Sequence, residues 1–276
     1  MIINNREITL GVSSLHYEWE TLEDACRIAH EEFGMDLIEF SHSRGGYKQS
    51  VDTDDLPVIH KLRKDYGGKI DVSLHVWFDI TADKSLLSIE KMRRTAKFAD
   101  ESGARYVIAH MGTHPDRKIG LQILKDVILE TLPRFESARA VLCLENHYPY
   151  DYEGLNELGG TPEDFLEIFE SAASPYLGFC LDYGHSHMSS NTLEFIEKLS
   201  PHLKYTHLAD NAGNRDSHLP LGEGTVDWEE VLGQTLNSGF NGPFVVEYPA
   251  NVDTVNVCAA LFREIVLRRE SGHDNI

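Results

Sequence analysis

Histidines and carboxylates recur along this chain where short apolar runs end. His75, His110, Glu145, Asp182, His207 and Glu247 stand at such ends, at intervals of 35, 35, 37, 25 and 40 residues. Three more follow in connecting segments: His185 three residues after Asp182, and Asp216 and His218 two apart, just before a Gly-Glu-Gly turn. Imidazole and carboxylate without thiolate are the donors that suit Zn, Mn, Co or Fe(II), and they do not select among these ions. A divalent ion held this way polarises a carbonyl or activates water. A single strand-end histidine is more often a satisfied rim residue than a ligand. Glu145 and Glu247 resist that reading, because they follow VLCL and PFVV, and a carboxylate there is costly to bury unless it is paired or metal-bound. Taken as a set, the nine residues point to a metal site.

Such a site needs a scaffold that brings distant strand ends to one place. Apolar runs at Ile8–Val12, Asp36–Phe40, Ile70–Val76, Arg105–Ala109, Ala140–Leu144, Leu177–Leu181, Leu203–His207 and Pro243–Val246 read as strands. They are short, rich in branched residues and apolar on both faces, as buried parallel strands are. Helical segments separate them: Thr21–Phe33, Thr53–Tyr66, Asp83–Ser102, Ile119–Phe135, Thr161–Ala173, Thr192–Leu199, Val226–Ser238 and Val252–Arg269. Thr21 and Thr161 are placed as N-caps, with Pro162 at the first helical position. Eight strand–helix units in 276 residues predict an α/β fold, a (β/α)8 barrel, read as one domain over 1–276. Barrel active sites lie at the C-terminal strand ends, where the six strand-end residues would converge. An open doubly wound sheet would want a glycine-rich phosphate turn after strand one, and GVSSLHYEW is not one.

Twenty-five basic residues against 45 acidic give a net charge of −20. That overall field disfavours nucleic acid and anionic membranes as partners. No apolar run approaches the length of a membrane span, and the N-terminus MIINNREITLGV carries no signal-like segment. Cys26, Cys143, Cys180 and Cys258 form no CxxC pair, which fits a reduced, cytoplasmic setting. A homo-oligomer is expected on general grounds.

The motifs LHVW around His75, IAHMG around His110, LENH around Glu145, CLDYGHSH around Asp182, THLAD around His207, DSHLPLGEGTVDW from Asp216 and VVEYP around Glu247 resemble the xylose-isomerase-like barrel superfamily. It holds sugar isomerases and epimerases and also endonuclease IV. The resemblance covers nearly the whole chain. In epimerase-like members one divalent ion is held by residues matching Glu145, Asp182, His207 and Glu247. In endonuclease-like members three zinc ions are held by nine residues, all with a match here. His75, His110 and Glu145 would hold one ion, and Glu145, Asp182, His207 and Glu247 a second. His185, Asp216 and His218 would hold a third.

Two chemistries follow. The first is isomerisation or epimerisation of a small sugar or sugar phosphate through an enediolate stabilised by a Zn or Mn ion, one to three per chain, with Glu145 and Glu247 as acid and base. Trp77, Tyr17 and Tyr47 could stack on a sugar, and Arg44, Lys48, Arg117, Lys118 or Arg215 could hold a phosphate. Of these, Trp77 and Arg215 are the expected substrate contacts. The alternative is zinc-dependent phosphodiester hydrolysis of the endonuclease IV type, against which the acidic charge and the few loop cations weigh. A non-catalytic barrel would show erosion of the ligand set, and none is visible.

Overall fold

The computed structural model describes residues 2–3, 6–43, 49–81, 86–148, 151–152 and 154–270. Arg44, Tyr47, Lys48 and Asp83, named above, lie outside them. Eight parallel strands run through the described chain: β1 Thr9–Ser13, β2 Leu37–His42, β3 Asp71–Val76, β4 Tyr106–His110, β5 Val141–Glu145, β6 Leu177–Asp182, β7 Leu203–Leu208 and β8 Pro243–Val246. Each pairs with the next, and β8 returns to β1, so the sheet closes into the expected (β/α)8 barrel. No helix of the described residues is long and apolar enough to cross a membrane.

The strands read as continuous apolar runs because both faces are covered. β2, β6 and β8 are buried at every position. Their outer faces meet helices α1 Leu22–Arg27, α2 Leu56–Asp65, α3 Leu86–Ser102, α4 Arg117–Ala138, α5 Pro162–Ser171, α6 Tyr183–Met188, α7 Thr192–Leu199, α8 Trp228–Asn237 and α9 Thr254–Glu270. Phe179 of β6, for example, packs between Phe165 of α5 and Phe195 of α7, with ring centroids 4.9 and 5.5 Å away. Burying each such ring removes apolar surface worth roughly 2–3 kcal/mol from water.

The sequence-derived boundaries shift where capping chemistry decides them. Thr21 caps α1, its Oγ1 accepting from Asp24 N at 3.2 Å, and the helix continues as a π-helical turn over Ile28–Glu32. α4 begins at Arg117, two residues early, because Asp116 accepts from Ile119 N. Thr161 occupies the N-cap position of α5, but its hydroxyl makes no cap bond.

Side chains alternate inward and outward along a strand, and this sets two storeys inside the barrel. The lower one is a closed apolar cluster of Leu37, Ile108, Cys143, Cys180, Tyr205 and Val245. Two residues further along the same strands, the same inward period delivers Glu39, His110, Glu145, Asp182, His207 and Glu247, and His75 follows Ser73 on β3. Ladder pairing puts His110 beside Glu145 and Asp182 beside His207.

Candidate metal centre and active site

Glu145 is the hub of the upper storey. Its carboxylate is fully buried. Oε2 lies 3.2 Å from His75 Nε2 and 3.3 Å from His110 Nε2, while Oε1 lies 2.9 Å from His207 Nδ1. His207 Nδ1 is also 3.3 Å from Glu247 Oε2 and 3.9 Å from Asp182 Oδ2. Among the described residues four groups gather their donor atoms closely enough to hold an ion: the two expected sets, His75, His110 and Glu145, and Glu145, Asp182, His207 and Glu247, and two further ones, Glu39, His75, His207 and Glu247, and Glu145, Cys180 and His207.

The third expected set gathers alongside. Asp216 Oδ2 is 3.4 Å from His185 Nε2 and 3.2 Å from His218 Nε2. His185, expected on a loop, stands in the first turn of α6, because the Asp182 side chain caps that helix by accepting from His185 N at 2.6 Å. Its Nδ1 donates to the Asn146 carbonyl at 2.9 Å, and His218 Nδ1 donates to the Glu247 carbonyl. With Nδ1 engaged, Nε2 of each ring is the free donor atom, the arrangement metal-binding histidines favour.

The loop carrying Asp216 and His218 is held by Asp210. That buried carboxylate accepts from Asn211 N, Val226 N, Gly222 N and Trp228 Nε1, all between 2.8 and 3.2 Å. Asp210 and Leu219 exchange backbone hydrogen bonds. A Cβ on Gly224 would meet Asp210 Oδ1 at 2.2 Å, so the last glycine of the turn leaves room for this pin.

The buried polar atoms without a hydrogen-bond partner include Glu145 Oε2, Asp182 Oδ2 and both ring nitrogens of His75. Orphaned groups of this kind in a dry interior are costly, and they converge on one point. A divalent cation fits these residues, satisfying imidazole and carboxylate donors at once.

Electrostatics match. Burial works to raise the Glu145 carboxyl, but the imidazoles of His207, His110 and His75 outweigh it and hold it well below the usual range. Glu247 is likewise depressed despite burial, through His207 and His75. Asp182 is pushed up to about 6 by burial, with His185 opposing. Burial works against charge on His75 and His185, yet the surrounding carboxylates raise both to about 10, and His218 to about 9. Without metal, protons on these rings balance the carboxylates.

Above the donors opens a cavity of about 370 Å³ lined by Leu15, His16, Trp77, His147 and donor residues. Trp77 is partly exposed, packs over His75 at 4.7 Å between ring centroids and donates from Nε1 to Ser41 Oγ at 3.1 Å. Tyr17 is elsewhere: it is buried against Phe33 and donates to the Ala25 carbonyl at 3.0 Å. Arg215 is exposed on the loop and outside the cavity lining, and Arg117 pairs with Asp164.

Sequence reasoning leaves two wall histidines unassigned among several in the βα loops and misses one carboxylate. His16 and His147 sit in βα loops with no spacing signal. His16 stacks on His218, and His147 lies 4.5 Å from His185, ring centroid to ring centroid. Burial lowers His16 to about 4 and His147 to about 3, the latter also through His185 and His110, so both wall imidazoles are neutral. The carboxylate is Glu39, fully buried, with Oε2 3.0 Å from His207 Nε2. Its signal was present: Glu39 follows Leu37 at the same two-residue step by which Glu145 follows Cys143.

Comparison with known proteins places this geometry. Residues 27–264 match the family model for xylose isomerase-like TIM barrels. An uncharacterised protein of Methanocaldococcus jannaschii is 28% identical over 87% of this chain and 84% of its own length. A probable endonuclease 4 of Mycoplasma mobile is 28% identical over 62% of this chain and 63% of its own. Among solved structures, a D-tagatose 3-epimerase-like protein superposes with a TM-score of 0.81 at 26% identity, covering 96% of this chain and 99% of that one. The motifs that end six of the eight strands, the closed barrel the strands build and the match over most of its length make this chain a member of the xylose isomerase-like TIM barrel family.

Proposed function

We propose that the chain is a divalent-metal-dependent isomerase or epimerase of a small sugar. The observation that carries this reading is the pairing of Glu145 and Glu247, two carboxylates 2.9 and 3.3 Å from His207 Nδ1 that both line a cavity of about 370 Å³. Glu145, Asp182, His207 and Glu247 would hold the cation. The chemistry a bound divalent cation supplies is polarisation of a substrate carbonyl and neutralisation of the oxyanion that develops. Glu247 or Glu145 takes the proton from the carbon beside the carbonyl, leaving an enediolate, and the partner carboxyl returns a proton. Return to the opposite face of the same carbon gives the epimer, and return to the neighbouring carbon gives the isomer.

The wall favours a neutral sugar over a phosphorylated one. Among the described residues no Lys or Arg lines the cavity, whereas neutral His16 and His147, and Trp77, offer hydrogen bonds and a stacking face to hydroxylated carbons. Arg215, exposed on the Asp216 loop, would act from the rim. The third donor group at Asp216, together with the endonuclease-like relative, supports zinc-dependent phosphodiester hydrolysis as the second reading. The net charge of −20 and a described cavity lining without Lys or Arg count against a polyanionic substrate.

The test is a panel of free and phosphorylated ketoses, incubated with the metal-loaded protein in D2O. Deuterium entering beside the carbonyl, with the epimer or isomer appearing by NMR, is the expected result. Glu247→Gln should abolish both while circular dichroism stays native. Absence of exchange on every ketose, with cleavage of a phosphodiester instead, would transfer the site to the second reading.

A further inference from the structure

Three histidines of the site have a hydrogen-bond partner on one ring nitrogen that leaves the other turned to a carboxylate of the donor cluster. For His185 and His218 that partner is a neutral backbone carbonyl, of Asn146 and Glu247. For His207 it is a carboxylate: Nε2 lies 3.0 Å from Glu39 Oε2, and both side chains are fully buried. On its other edge, Nδ1 faces Glu145, Glu247 and Asp182.

Glu39 is an expensive residue to keep there. A buried carboxylate needs a partner to offset its lost hydration, and no Lys or Arg pairs with it among the described residues. The neighbouring Ser73, opposite it on β3, spends its hydroxyl on Tyr205 OH at 2.7 Å. Glu39 Oε1 accepts no hydrogen bond and lies 3.7 Å from His75 Nδ1. Among the described residues its one hydrogen bond is to His207. It sits one inward step below Ser41, which pairs with His75 in the ladder, level with the other donors, and like Asp182 and His207 it is absent from the cavity lining; its donor atoms also lie close enough to those of His75, His207 and Glu247 to share an ion.

We infer that Glu39 is a positioning residue, whose carboxylate holds the Nε2–H of His207 and thereby commits Nδ1 to the cation. The inference rests on the reading of Glu145, Asp182, His207 and Glu247 as metal donors. Two consequences follow from the charge on the acceptor. The ring is held in the tautomer that leaves the Nδ1 lone pair free, and the anionic acceptor makes Nδ1 a stronger donor than a carbonyl acceptor would. His207 is the one of the three rings supported in this way, and its Nδ1 touches both carboxylates proposed to move protons.

The experiment compares wild type, Glu39→Gln and Glu39→Ala. Zinc affinity is read by chelator competition, and ring nitrogens by NMR of 15N-histidine-labelled, zinc-loaded protein. Removing an outer partner of a ligating histidine costs about 10–100-fold in metal affinity. Glu39→Ala should weaken zinc to that extent and expose the Nε2 proton of His207 to exchange. Glu39→Gln, nearly isosteric and still able to accept from Nε2–H, should keep the tautomer yet lose part of the affinity, which separates charge from geometry and stands in if the alanine variant does not fold. A packing role alone would lower thermal stability with zinc affinity and the Nε2–H resonance unmoved, and that result overturns the inference. Loss of a whole ion from Glu39→Gln would make Glu39 a ligand and overturn it also. A wild-type chain that binds no zinc overturns the reading of the site itself, and Glu39's role with it.

Discussion

The two storeys of the barrel interior use the same strands and opposite chemistry. The lower one, Leu37, Ile108, Cys143, Cys180, Tyr205 and Val245, is apolar and closed. Tyr205, its one hydroxyl-bearing member, is satisfied by Ser73. One inward step higher, five carboxylate or imidazole atoms are left without partners. A single residue step along a strand would exchange inward for outward positions, so the register that seals the floor is the register that aims the donors. The floor contributes stability through dispersion and burial, and the upper storey draws on it to keep costly groups in place.

The largest effect that would break this division is expected from Glu145→Gln. The two expected donor sets share Glu145, so turnover should fall by about 10²–10⁴-fold while urea denaturation stays cooperative. Retained turnover would remove Glu145 from the hub. Next comes the floor. Ile108→Ala should cost about 2–5 kcal/mol in chemical denaturation, with the metal content of the folded fraction unchanged. A variant that also lost its metal would show that the storeys are not separable.

The smallest effect sharpens the contrast through pH. In the metal-free protein His75, His185 and His218 have affinities for protons raised to about 10, 10 and 9, above the ~6.5 of an unfolded chain. Their stabilising contribution is complete below pH ~6.5 and is lost as pH rises through 9 to 10. The depressed Glu145 and Glu247 act oppositely, losing theirs as pH falls below the ordinary carboxyl range. The melting temperature of the metal-free chain should therefore decline steadily from pH 6.5 to 9.5, and less steeply with zinc present, since ligation replaces those protons. A flat or rising profile without metal would mean that the rings are neutral in the fold.

Much of this was legible in the sequence. Parallel strands covered on both faces read as apolar runs, and the polar residue that closes each run marks the C-terminal end of the barrel. Hence six strand-end residues, His185 and the Asp216–His218 loop pair could be named from spacing, and the structure brings all nine together. What stayed hidden has physical causes. Glu39 lies inside its apolar run instead of at its end, so a rule that inspects termini passes over it. His185 was named from its spacing but expected on a loop, because the six-residue helix that carries it, set up by the Asp182 cap, leaves no periodic pattern. His16 and His147 owe their positions to ring stacking across loops. Tyr17 looked like a sugar-facing aromatic but is consumed by the packing of α1.

The split reach of Glu145 has a consequence for how such a centre would fill. Oε1 belongs to the His207 side and Oε2 to the His75–His110 side, so one rigid carboxylate plane is common to both. An ion seated on either side fixes that plane for the other and spares the second arrival the entropy of ordering it, while the like charge of the first repels it. Occupancy at one position is thus felt at its neighbour, and the sign of the cooperativity between them measures which of ordering and repulsion is larger.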